Sequence, residues 1–157
     1  MYEHLMPKST GIMNSFGLHG LGGVGKTQIA MKYCAKFASI YTYIFWIYAD
    51  TEAKLSGEYE SIVKKLRALE MIPASETSTD SVSLFREWLE NQLDERWLII
   101  FDNGDNLDTL KPFWPPLCEN GSIVLTSRNP EALRNKLVSK GREVEPFGIN
   151  EGTAFFL

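Results

Sequence analysis

The residues best suited to chemistry stand in one short run, Gly20-Leu21-Gly22-Gly23-Val24-Gly25-Lys26-Thr27. It fits the pattern G-x-x-x-x-G-K-[ST], and each requirement has a physical reason. Glycines let the backbone turn its N–H groups inward around an anion. A helix opening at Lys26 adds the positive end of its dipole. Lys26 supplies a point charge for β- and γ-phosphates, and Thr27 supplies a hydroxyl for Mg²⁺. The competing reading, a flexible glycine-rich hinge, accounts for Gly22 and Gly23 but not for Gly25, Lys26 and Thr27 together.

Such a loop needs a carboxylate to help hold the metal, in the form of an apolar strand ending in Asp. Leu98-Ile99-Ile100-Phe101-Asp102 has that form. Asp102 is therefore expected to act on Mg²⁺ through water, since Mg²⁺ tends to keep several waters. The next residue is Asn103, where many hydrolases of this kind place a second acid to activate water. An amide has no basic carboxylate, so binding is better supported than hydrolysis. Asp105 stands close enough in sequence to substitute, against the competing reading of a turn residue. A third element, Ser122-Ile123-Val124-Leu125-Thr126-Ser127-Arg128, puts Arg128 just past a strand end. There it can face a γ-phosphate; the alternative is a solvated surface arginine.

The elements that must position these groups alternate in period. Ser15 to Leu18 reads as a short strand. From Lys26, Ile29, Tyr33 and Phe37 fall four apart, with Ala30 and Cys34 beside them, which marks one helix face. Thr42 to Tyr48 reads as a strand buried on both sides. Asp50 then offers an N-cap, and Leu55, Tyr59, Ile62, Val63, Leu66 and Leu69 mark an amphipathic helix ending before Pro73. Ala74 to Thr79 is polar loop, and Asp80 can cap a helix in which Val82, Phe85 and Leu89 share a face, with Trp88 alongside. Trp97 to Phe101 and Ser122 to Thr126 read as strands, Pro130 to Val138 as a short helix, and Arg142 to Glu145 as a fifth strand. Asp102 to Asp108 is turn-rich, and the prolines between Lys111 and Pro116 make that stretch irregular. Met1 to Ile12 reads as a loose leader, and Asn150 opens a last helix. Strands alternating with helices imply an α/β fold with a parallel sheet covered on both faces.

Bulk properties agree with one domain. The chain has 157 residues, 44% hydrophobic and 23% charged, with a net charge of -4. That is enough for a single core and too short for two comfortable ones. The acidic balance argues against a nucleic-acid partner, while a phosphate pocket needs only one or two local cations. Cys34 and Cys118 have no Cys or His neighbour at metal-ligand spacing, so two free thiols are expected. Apolar runs such as Ile44 to Tyr48 and Trp97 to Phe101 are far too short to span a bilayer. A soluble, cytoplasmic protein without a membrane partner is expected.

The order of these pieces resembles the NB-ARC domain, the nucleotide-binding module of STAND-class signalling ATPases. Leu18-His19 followed by Gly20 to Thr27 and Gln28-Ile29-Ala30, together with Asp102-Asn103, looks most like the fungal NOD-like receptors. The resemblance runs from Ser15 through nearly the whole chain. It implies a P-loop NTPase three-layer sandwich with a parallel five-stranded sheet in the order 5-1-4-3-2. It implies ADP or ATP with Mg²⁺ as ligands, and backbone N–H groups of Gly22, Gly23, Val24, Gly25 and Gln28 on the phosphates. Lys26 would hold phosphate, Thr27 the magnesium, Asp102 the magnesium water, and Arg128 the γ-phosphate. The expected division is a leader over 1–13, the nucleotide-binding core over 14–149, and the start of a helical subdomain over 150–157. Gly152 to Leu157 barely begins that subdomain, so the chain is expected to be the core of a longer protein or a truncated gene product. The family's Gly-Arg leader segment, which contacts adenine, is not evident in Met1 to Asn14.

The function so implied is a regulatory ADP/ATP switch core with slow or absent hydrolysis. Protein partners or self-association would act in a full-length context. Two alternatives stand beside it. One is an active P-loop ATPase or kinase, which would require a water-activating acid or an arginine-bearing lid; Thr51 to Thr79 shows no clear lid. The other is a truncated fragment that binds nothing.

Overall fold

Strands buried on both faces are the first consequence of the long apolar runs. In a computed structural model describing residues 1–5, 13–73, 75–134 and 136–146, every residue of β3 (Trp97–Asp102) and β4 (Gly121–Ser127) is buried. β1 (Asn14–His19) is buried through Leu18. With β2 (Tyr43–Tyr48) and β5 (Lys140–Glu143) they form one sheet in the order β2-β3-β4-β1-β5, all pairs parallel. Read from the other edge, this is the expected order 5-1-4-3-2.

Helices cover both faces. Alternate residues of β3 point to opposite sides, as the strand period of two requires. Trp97, Ile99 and Phe101 join Tyr59, Phe85, Leu89 and Leu110 from α3 (Glu52–Ala68), α4 (Ser81–Glu90) and α5 (Leu107–Leu110). Leu98 and Ile100 join Phe16, Leu18 and Val124 beneath α2 (Lys26–Phe37) and α1 (Tyr2–Leu5).

Several local expectations change. β2 is an edge strand, so only its inner flank is paired. Ile47 is fully buried, while Ile44 and Tyr48 are exposed. An apolar run does not by itself distinguish an edge from a centre. Thr51, not Asp50, caps α3, its hydroxyl accepting from the Lys54 N–H at 3.3 Å. The helix ends just short of the last residue of the periodic pattern. Glu70 takes a left-handed φ of 57°, and its N–H and that of Met71 close back on Arg67 and Leu66. That is a Schellman stop, and it leaves Leu69 exposed rather than on the core face. Asp80 does cap α4, accepting from the Val82 N–H at 3.1 Å.

The beginning of the chain is not loose where it is described. Residues 2–5 form α1, Leu5 is fully buried, and the Ser122 hydroxyl donates to the Leu5 carbonyl at 3.0 Å. The stretch read as a helix over Pro130 to Val138 is a single 3-10 turn, Pro130–Leu133, capped by Asn129. The chain must turn there to bring β5 beside β1, and Val138 fills the core from non-helical backbone. β5 itself starts two residues before the expected strand, at Lys140. The Val144 N–H still reaches His19 O at 2.7 Å just past it. Within the turn-rich stretch, Asn106 caps the short α5. Both cysteines are free. The helix expected from Asn150 lies outside the described residues.

Candidate functional site

Parallel strands deliver their carboxyl ends to one edge of the sheet, where ligands of open α/β sheets bind. His19 lies level with Ser127, and Phe101 with Leu125. The loop after β1, Asp102 at the end of β3 and Arg128 just beyond β4 are therefore brought together from three distant parts of the chain.

The loop is built by backbone conformation. Gly25 has φ 101° and stands as the N-cap of α2 with no side-chain cap. A β-carbon is strongly disfavoured there, and the N–H groups of the helix's first turn are left for a ligand. Gly20 has φ 153°, and an added Cβ would overlap the Val144 carbonyl oxygen. The segment just past β5 thus presses against the entrance of the loop. Gly22 and Gly23, with Gly25, line a cavity of about 490 Å³, and Lys26, Thr27 and Gln28 line it from the helix start. Arg128, Asn103 and Asp50 complete the lining. Val24 is not part of it; its N–H donates back to Leu21 O at 3.4 Å.

Lys26 is buried, and its ammonium donates to Gly20 O and Leu21 O, each at 2.8 Å. Burial lowers its pKa below the ordinary 10.5; the charges of Asp105 and Asp102 oppose the shift, while Arg128 adds to it. Beside it, the Thr27 hydroxyl donates to Asp102 Oδ1 at 2.9 Å. Thr126 donates to the same oxygen at 2.6 Å, and Asp102 is only 2% exposed. Among the described residues none donates to Oδ2. A buried carboxylate with one oxygen fixed and the other uncommitted, next to a hydroxyl, suits a hard cation with water between. Among the described residues no three His, Cys, Asp or Glu side chains gather to hold a metal. A cation here would therefore draw on phosphate and water for its remaining ligands.

Two acids at the site stand in places that sequence reasoning did not assign. Asp50 lines the cavity while paired to Lys54. Its signal was the same strand-end position that singled out Asp102, but the capping reading absorbed it. Asp105 is neither a mere turn residue nor directed at the cavity. One oxygen accepts from the Arg128 backbone N–H at 2.6 Å and from the Ser127 hydroxyl at 3.1 Å. The other pairs with Arg128 Nε at 2.6 Å. Burial alone would raise the Asp105 pKa, but these bonds outweigh it and hold the carboxyl below its ordinary value. Asn103, in the position of a second acid, adopts a left-handed φ of 63°, which Asn tolerates well. Its N–H donates to Thr126 Oγ1 at 2.9 Å.

This sheet order, with a glycine-rich loop running from β1 into α2, defines an α/β P-loop NTPase fold. Solved structures agree at the level of fold. The chain aligns over 98% of its length to 45% of the Cdc6p chain from Pyrobaculum aerophilum, with TM-score 0.64 and 15% identity. It aligns over 99% of its length to 48% of the Aeropyrum pernix ORC2 protein, described in ADPNP-ADP complexes, with TM-score 0.63 and 12% identity. The NB-ARC domain model matches residues 1–156, and the chain belongs to that family. A nucleotide-binding leucine-rich repeat-like protein of Hyaloscypha variabilis is 29% identical over 72% of the chain. A probable disease resistance protein of Arabidopsis thaliana is 34% identical over 83% of it. The chain spans only 13% and 14% of the lengths of these two relatives.

Proposed function

We propose that this chain is the ADP/ATP-binding core of a signalling switch, with slow or absent hydrolysis. The observation that carries the proposal is the convergence of Lys26, Thr27 and Arg128 on one cavity, with Asp102 bonded to Thr27 behind it. In this reading the N–H groups of the loop and of the first turn of α2 cradle the phosphates. Lys26 exchanges its bonds to Gly20 and Leu21 for phosphate oxygens. Arg128 reads the γ-phosphate. Thr27 and Asp102 would hold Mg²⁺, which would supply positive charge against the phosphate charge. The base would sit in a second cavity of about 510 Å³, walled by Phe16, Leu18, Ile29, Val144 and Pro146. It opens on α2, the same helix that carries Lys26 and Thr27.

Slow turnover follows from Asn103, which lines the cavity but supplies no base. Regulation requires that ADP and ATP stabilise different arrangements, since a ligand binding both equally shifts nothing. Partner proteins or self-association in a longer cytoplasmic protein would read that difference. Among the described residues no helix is long and apolar enough to cross a membrane.

The test is nucleotide content. The chain is purified without added nucleotide, denatured and chromatographed, with Lys26→Ala in parallel. Adenine nucleotide released by the wild type and none by the variant is the expected result. A wild type that releases none and is silent in titrations with ADP and Mg-ATP would leave the chain a fragment without ligand.

A further inference from the structure

Arg128 is held from behind. Asp105 takes its backbone N–H and its Nε, each at 2.6 Å, and the Asn129 amide ties the Asp105 carbonyl at 3.0 Å. Arg128 itself lines the phosphate cavity, and a β-carbon added at Gly22 would lie 3.8 Å from its Cδ. Asp105 lines a different cavity, on the side of Asn106, Asp108 and Glu131. The paired Arg128 and Asp105 thus line one cavity each. The inner edge of the arginine is committed to Asp105, while among the described residues no acceptor takes its two terminal amino nitrogens. A guanidinium gripped at Nε has a fixed plane, and its outer pair of N–H donors suits two oxygens of one phosphoryl group.

We propose that Asp105 is the positioning residue that makes Arg128 discriminate nucleoside triphosphate from diphosphate. The proposal rests on the nucleotide reading of the site. A free arginine on this exposed edge would sample many rotamers, and a triphosphate would have to order it at the moment of binding. Asp105 pre-orders it. Because the positioning acts through Arg128, that part of the effect of Asp105 belongs to the γ-phosphate.

Electrostatics alone predicts the opposite sign. Asp105 is a negative charge near Lys26 and the phosphate cavity. If charge were its whole influence, removing it would strengthen anion binding, and more so for the more highly charged triphosphate.

The experiment is titration of Mg-ATP and Mg-ADP into the wild type, Asp105→Asn, Arg128→Ala and the double variant, with Arg128→Lys as a fifth chain. Melting curves check that each is folded. The ratio of ATP to ADP affinity should fall about tenfold in Asp105→Asn, the scale of one charge-assisted hydrogen bond. Asp105→Asn should then add nothing in the Arg128→Ala background. Arg128→Lys keeps the charge but loses both the Nε donor and the forked amino pair, and should show at least the same fall. If Asp105→Asn unfolds the chain, Asp105→Glu, which keeps the charge but displaces the grip on Nε, carries the test: a fall in the ratio supports the positioning role and a level ratio overturns it. A ratio that rises or stays level, or a full effect persisting without Arg128, overturns the positioning role. Wild-type protein that binds neither nucleotide overturns the nucleotide reading itself, and the positioning role with it.

Discussion

Replacing Thr126 with Val tests the buried support of the Asp102 carboxylate. The two side chains have the same shape and both favour strands, so β4 should persist. What disappears is one hydroxyl that donates to Asp102 Oδ1 at 2.6 Å and accepts the Asn103 N–H at 2.9 Å. Thr126 is fully buried and Asp102 is 2% exposed, so water cannot readily replace the bond to the carboxylate. A hydrogen bond to a charged group contributes roughly 1.5–3 kcal/mol. The Asn103 N–H adds less, because that residue is exposed and water can reach it. A loss of about 2–3 kcal/mol is expected, a large share of a typical domain stability of roughly 5–15 kcal/mol. For a chain of this size that corresponds to a fall in Tm of roughly 5–10 °C. Urea unfolding followed by tryptophan fluorescence measures it, since Trp97 and Trp114 are buried and will report exposure. Thr126→Ser, which keeps the hydroxyl, should recover part of the loss. A Val variant within about 0.5 kcal/mol of wild type would refute the claim that Thr126 holds this carboxylate.

Other consequences can be checked separately. Gly121→Ala would drive a methyl into the indole of the fully buried Trp97, so overpacking should cost on the order of 1–3 kcal/mol in the same unfolding assay. Asn103→Asp should raise steady-state phosphate release from ATP if a base is all that hydrolysis lacks; an unchanged rate would mean that the site lacks more than a base. The Asp105 pKa is depressed below 3.8 in the folded chain. Its stabilising contribution is therefore present above the unfolded value and lost as pH falls through the folded one. Stability measured across the acid range should drop less steeply below about pH 4 in Asp105→Asn than in the wild type.

Local chemistry accounts for what was legible in the sequence. The run from Gly20 to Thr27 announces itself because the dihedral demand, the lysine and the hydroxyl all lie within eight consecutive residues. Asp102 is legible as a strand-end acid because an apolar run closing on a carboxylate is a pattern along the chain, and the structure sets it at the end of β3 beside Thr27. Strand and helix periods likewise depend on neighbours along the chain, so most elements were correctly anticipated. The cap at Thr51 was misread as Asp50 because both residues can cap, and only backbone dihedrals select one.

What the tertiary structure decided depends on distant segments meeting. β2 lies at an edge because, among the described residues, nothing pairs beyond it, which an apolar run does not reveal. β5 takes its register from β1, more than a hundred residues earlier in the chain. The stretch after Pro130 forgoes a helix in order to reach that register. Asp105 meets Arg128 only because β3 and β4 are adjacent and parallel, so that the two strand ends emerge side by side. By itself the sequence determined a glycine-rich P-loop motif on an α/β scaffold, since those properties are encoded in local conformation and pattern. The sheet's pairing decided which acid grips the arginine and which side of it faces the cavity, because such contacts exist only once the strands are aligned.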